Sequence, residues 1–288
     1  MNIKTTLIDS AKLIKNNLMV IQPLFFGVLI LMFVSKPLFM RTSLDAGFLF
    51  AALLLILCIS AFIAGWYNCI KYTISLNKKE YSSQDEVKNE QIEILRQFFP
   101  GVSEYFLPVT GLFSLYAGMT FLLSYYLDIY LKNLFSKVNI PQELFKIINT
   151  GNQQEISNTI NSLNYDQIQT IMIAFSIMII SVFIFHFLIL WFGPSLFYKT
   201  KNPIMAIIEN FRFLFRNILP SVVIFTVMTV INIALSFMMM LFGNGILSFI
   251  PFLFFFFYIQ YYVCTVFLYY EQKTETCSIN GSKFDREV

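Results

Sequence analysis

Asn217–Tyr270, NILPSVVIFTVMTVINIALSFMMMLFGNGILSFIPFLFFFFYIQYYVCTVFLYY, runs for 54 residues without a charged side chain, and Gly243, Asn244 and Gly245 are its only turn-like interruption. A helix rises about 1.5 Å per residue and a bilayer's hydrocarbon core is about 30 Å thick, so this run predicts two crossings joined by a tight hairpin. The expected class follows directly: an all-α, polytopic integral membrane protein.

Further charge-free runs extend the pattern outward at Leu18–Ser35, Ala46–Ile70, Tyr105–Leu127 and Gln167–Gly193, which makes six expected transmembrane helices. Composition agrees. The chain is 57% hydrophobic and 13% charged with a mean hydropathy of +0.67, more apolar surface than a soluble core can hide. A net charge of +3 is too small to imply a nucleic-acid partner. The four cysteines, Cys58, Cys69, Cys264 and Cys277, show no C-x-x-C spacing and imply no disulfide framework. Lys4, Lys12 and Lys15 precede the first apolar run without a small-residue cleavage site after it, the pattern of an uncleaved first helix.

Orientation follows from the asymmetry of basic residues, because cytoplasmic loops hold the excess. With six crossings, fifteen Lys and Arg fall on the side of the termini and five on the other. Both termini are therefore expected in the cytoplasm, with the protein in the cytoplasmic membrane. Residues 1–271 read as a single six-helix domain and 272–288 as a cytoplasmic tail without regular structure. The loop from Lys132 to Asp166 would face outward. Leu144, Ile147, Ile148, Ile156, Ile160 and Leu163 recur there at helical spacing, which suggests two short amphipathic helices capping the bundle, or a lid.

Each crossing expected to leave the cytoplasm is preceded by an amphipathic stretch suited to the membrane surface. The first aligns Ile3, Leu7, Ala11, Ile14 and Leu18; the second aligns Val87, Ile94, Leu95 and Phe98; the third opens at Pro203 and aligns Ile204, Ile207, Phe211, Leu214, Phe215 and Ile218. Lys199, Lys201, Arg212 and Arg216 flank the third and are the candidate contacts for anionic headgroups, so the lipid bilayer is the expected partner. The three stretches also align with one another. Lys12–Leu18 falls on Arg212–Ile218 and Leu95–Pro100 on Phe215–Pro220, with Pro100 and Pro220 expected to mark the bend into the membrane. This is either an internal repeat of a surface helix plus a hairpin, or convergence among basic amphipathic helices.

Four polar side chains within the apolar runs are candidate intramembrane contacts: Asn68, His186, Asn232 and Gln260. Asn232 and Gln260 stand at similar depth in neighbouring helices, which suggests an amide pair, structural in the plainer reading and substrate-binding in the sharper one. His186 is the chain's only histidine. Without acidic partners at its depth it reads as a neutral ring bonded to a neighbouring helix rather than as a proton relay or a metal ligand. Glu104 and Asp128 bracket the third crossing as boundary markers. Small residues at Ser60, Ala61, Ala64 and Gly65, and at Gly111, Ser114, Ala117 and Gly118, predict close packing of the second and third crossings. No zinc-protease, nucleophile-elbow or P-loop motif occurs, and no cofactor is implied.

The segment Gly193–Leu214, GPSLFYKTKNPIMAIIENFRFL, resembles a recurrent signature of bacterial six-helix membrane proteins related to the glycerophosphodiester phosphodiesterase membrane domain. Asn210 stands where that signature carries a serine. The resemblance implies a membrane module and brings no catalytic residue with it. The expected function is thus a non-enzymatic module in envelope or lipid-related processes. A small-molecule or lipid transporter is the alternative, and it would need a polar cavity near the midplane around Asn68, Asn232 and Gln260.

Overall fold

A computed structural model describes residues 3–39, 46–76, 84–136, 138, 162–242 and 249–284, and among them there is no strand. The helices are α1 (Ile3–Asn16), α2 (Ile21–Phe39), α3 (Ala46–Leu76), α4 (Gln84–Arg96), α5 (Phe98–Ser136), α6 (Tyr165–Leu188), α7 (Phe192–Tyr198), α8 (Pro203–Arg216), α9 (Ile218–Leu241) and α10 (Phe249–Phe284), with a short 3-10 turn at Leu18–Val20. The fold is all-helical, as the apolar runs require. The hairpin expected at Gly243–Gly245 and the apolar positions Leu144–Ile160 of the loop after Lys132 lie outside the described residues.

Among the described residues, five helical segments are long and apolar enough to cross a bilayer: Phe50–Leu76, Glu86–Ser136, Tyr165–Tyr198, Ile218–Leu241 and Ile250–Thr274. The sixth expected crossing belongs to a bent pair, in which Ile3–Asn16 and Leu18–Leu31 meet at 87°. α1 therefore turns across the end of α2 instead of prolonging it. The second amphipathic stretch differs, because α4 leads into α5 within one 51-residue segment, Glu86–Ser136, interrupted only at Gln97. The last helix also departs from expectation. It runs on through Phe284, so part of the segment read as an unstructured tail is helical.

The chain divides into two compact units, Met1–Ser114 with Leu188–Val288, and Leu115–Phe187, where the sequence suggested a single domain. In the larger unit α10 is the hub, with α1, α2, α3, α7 and α9 packed against it. Its most apolar window is 44% buried, whereas none of the other four long segments exceeds 22%. From Val263 to Tyr270 every residue of α10 is buried, and a helix apolar all round belongs in an interior. In the smaller unit the helices keep large side chains outward, among them Phe121, Tyr126 and Met172. Tyr116 meets Phe185 between them, with ring centroids 5.5 Å apart.

The aligned segments share a local geometry at Asn17, Gln97 and Asn217. Each residue interrupts the helix, and its N–H reaches the carbonyls four and three residues back at 3.0–3.2 Å. Asn17 (φ −128°, ψ 54°) and Asn217 (φ −124°, ψ 40°) adopt nearly the same conformation. Their side-chain amides donate to Leu13 O and Phe213 O, both at 3.0 Å. Upstream, α1 buries Thr6, Ser10, Leu13 and Ile14 while α8 buries Ala206, Asn210, Phe213 and Leu214, the same register against the break residue. The break lies at the amide residue and not at the prolines. Pro23, Pro100 and Pro220 each occupy the third position of the helix that follows, where a missing N–H costs nothing.

Candidate functional site

Close approach of α3 and α5 occurs where α5 begins. A Cβ on Gly101 would stand 2.4 Å from Asn68 Cβ and 2.9 Å from the Ala64 carbonyl, so only glycine fits. Asn68 uses the contact, donating from Nδ2 to Gln97 O at 2.9 Å and thereby bonding the α4–α5 break. Of the small residues expected to pack, Gly65 faces the Phe98 ring and Gly111 faces Pro203, while nothing lies within 4 Å of a Cβ at Gly118. The small-residue pattern located the contact correctly on α3 and too far along on α5.

The Asn232–Gln260 pair does not form. Gln260, 1% exposed, accepts from Trp66 Nε1 at 3.0 Å and donates to Cys264 Sγ at 3.3 Å. Asn232 is exposed on α9. An indole N–H has no second role, so a buried tryptophan selects the nearest acceptor, and Gln260 is that acceptor. Asn68 and Gln260 thus each tie separate elements together, while Asn232 faces outward. His186 is corrected as well: its Nδ1 lies 2.8 Å from Val182 O on its own helix, not on a neighbour, and the ring is exposed. A carbonyl only accepts, so Nδ1 carries the proton.

A second knot, missed in the sequence, closes the break between α6 and α7. Asn210 Oδ1 accepts from Trp191 N at 2.9 Å, and Asn210 Nδ2 donates to Leu188 O at 2.7 Å. One amide thus serves two backbone groups that the helix break leaves without partners, an arrangement for which its separate donor and acceptor atoms suit it. Trp191 Nε1 donates to Ser221 Oγ at 3.0 Å, and Ser221 donates onward to Asn217 O at 2.7 Å. Trp191, Asn210 and Ser221 are fully buried. The signal available in sequence was that both tryptophans sit at the ends of apolar runs and must find acceptors.

The third cluster is ionic and lies where α3, α5 and α7 meet. Lys71 Nζ donates to Tyr105 Oη at 3.1 Å and to Phe197 O at 2.9 Å, and it stands 5.5 Å and 5.6 Å from the Tyr105 and Tyr198 ring centres. Phe197 O is one of the carbonyls that a helix end leaves open. Lys201 pairs with Glu104 at 2.9 Å and also lies over Tyr105. Glu104 is thus an ion-pair partner as well as a boundary residue. Among the candidate headgroup contacts, Lys201 is engaged in this way and Arg212 pairs with Glu209. Lys199 and Arg216 are exposed and have no partner among the described residues. Among the described residues no three of His, Cys, Asp and Glu come together as metal ligands.

The openings between helices are of a different character. One groove of about 570 Å³ lies among α2, α3 and the α4–α5 junction, walled by Phe26, Gly27, Ala61, Phe62, Phe98 and Phe99. Another, of about 530 Å³, lies between α2 and α10 and is walled by Phe25, Leu253, Phe256 and Phe257. Both are overwhelmingly apolar, and both are bounded by Gln22 and Phe26. Comparison with protein-family models, with curated proteins and with solved structures returns no match.

Proposed function

We propose that this integral membrane protein is a non-enzymatic module that holds membrane lipid, acting in envelope or lipid-related processes of the cytoplasmic membrane. One observation carries the reading. Trp66, Asn68, Asn210 and Gln260 of the larger unit are spent on ties between helices, and the two grooves beside α2 are lined by aliphatic and aromatic carbon. A path for a water-soluble solute needs polar groups left over to replace its hydration, whereas an acyl chain needs only apolar walls. The resemblance of Gly193–Leu214 to the membrane domain associated with a phosphodiester enzyme supports the same direction, as does the right-angled α1, whose exposed Lys12 and Lys15 suit an anionic surface.

The test is purification from native membranes followed by extraction and counting of what stays bound through size-exclusion chromatography. Retained phospholipid in a fixed ratio to protein is the expected result. A protein that emerges free of lipid and drives saturable uptake of a hydrophilic solute into proteoliposomes would refute the proposal in favour of a transporter.

A further inference from the structure

Two grooves of the larger unit share an edge, and the edge is a single turn of α2. Groove volumes of about 530 and 570 Å³ are nearly matched. Gln22 and Phe26, one helical turn apart, border both, so the grooves run down opposite flanks of the same helix. Gln22 is exposed and has no hydrogen-bond partner among the described residues, and it is the only amide on either lining. It stands in the first turn of α2, just past the 87° bend that carries α1 away along the end of the helix. The final turn of α1 presents Lys15, with Lys12 one turn earlier, both exposed and neither paired with a carboxylate among the described residues.

We infer that α2 is straddled by one diacyl anionic phospholipid, drawn from the leaflet on which α1 lies. One acyl chain occupies each groove, the ester carbonyls accept from the Gln22 amide at the fork, and the phosphate meets Lys12 and Lys15. Pairing decides the occupant. A single-chain amphiphile would leave one groove empty, and a sterol-like rigid body cannot divide around a helix. An amide at the depth where α1 meets α2 matches the ester level of a lipid and not its hydrocarbon tails. Gly27 lets the Phe62 wall of one groove close onto α2: a Cβ there would stand 2.1 Å from the Phe62 ring. This inference rests on the lipid-holding reading above and adds the site, the number of chains and the charge.

The experiment uses the full chain, delipidated in detergent and offered equal amounts of dioleoyl phosphatidylglycerol, its single-chain lyso form, or dioleoyl phosphatidylcholine, with retained lipid counted by native mass spectrometry. Expected is retention of dioleoyl phosphatidylglycerol about tenfold or more above the lyso form, since each buried methylene adds to affinity, and above phosphatidylcholine by a smaller factor. Ala61→Trp fills one groove and Leu253→Trp the other. Either should bring diacyl retention down to the lyso level while leaving lyso retention in place. Gln22→Leu, at an exposed position, should weaken the diacyl lipid several-fold without altering the unfolding temperature. Equal retention of diacyl and lyso lipid by the wild-type chain would overturn the two-chain assignment even if both tryptophan variants failed to fold. Equal retention of the two diacyl lipids would overturn the anionic headgroup. Retention of no lipid at all would instead remove the proposed function on which the inference stands.

Discussion

In the larger unit Trp66 donates across to Gln260, Asn68 reaches the α4–α5 break, and Trp191 bonds to Ser221 on another helix. In the smaller unit Thr120, Ser176 and His186 each bond the carbonyl four residues back on their own helix. The larger unit has such within-helix bonds too, at Ser10, Thr73 and Thr265, and adds the ties between helices to them. Helices in lipid gain nothing from the hydrophobic effect by associating, so interhelical hydrogen bonds and close contacts must specify the arrangement. The larger unit has both. The smaller has a ring contact and outward-facing Phe121 and Met172, a surface suited to hydrocarbon.

The strongest way to break this contrast is to load matched glycines. Gly101→Val in the larger unit forces the new side chain into Asn68 and the Ala64 carbonyl, and it should cost about 3 kcal/mol or abolish folding, read as the unfolding midpoint in detergent. Gly118→Val in the smaller unit meets nothing within 4 Å, and it should stay within about 1 kcal/mol. Equal losses at the two positions would erase the distinction.

Replacing amides should sharpen it. Asn210→Leu leaves Trp191 N and Leu188 O without their buried partner and should cost roughly 2–4 kcal/mol, while Asn232→Leu on the exposed face of α9 should cost no more than about 0.5 kcal/mol. A smaller effect is expected at Gln260→Leu, which strands the Trp66 indole and should cost about 1–3 kcal/mol. Trp66→Phe added to Gln260→Leu removes both partners, so the pair should destabilise by less than the sum of the single changes; additive losses would deny the bond its role. The least effect belongs to His186→Phe, within about 0.5 kcal/mol, because its one bond is to its own helix and its ring is exposed.

Architecture was legible because the bilayer reduces it to length and charge: Asn217–Tyr270 announces its two helices, and Pro203 announces the start of α8, where the structure adds a cap from Asn202 Oδ1, which accepts from Ile204 N and Met205 N. The alignment set Asn17, Gln97 and Asn217 in register, but it assigned the bend to the prolines, whereas the break lies at the amide residues. Partner choice was not legible. Asn232 and Gln260 look equivalent along the chain, and only the rotation of α9 and α10 about their axes sends one outward and gives the other to Trp66. Lys71 was hidden for a related reason, since a lysine next to an apolar run reads as a boundary charge until the Phe197 carbonyl and the Tyr105 hydroxyl are brought to it from distant helices. The grooves beside α2 arise from four separate segments, α2, α3, the α4–α5 junction and α10, and leave no local pattern.

The central claim is that the larger unit's interior is dry and that its polar groups are ties rather than the lining of a solute path. The native thiols report on this without any substitution, since Cys69 and Cys264 are buried at 0% and 1% exposure and Cys264 touches Gln260. With the protein in lipid bilayers, a water-soluble, membrane-impermeant thiol reagent followed by peptide mass spectrometry should leave both unmodified and should label them only after denaturation. Modification of Cys264 in the folded protein would place water beside Gln260 and contradict the account.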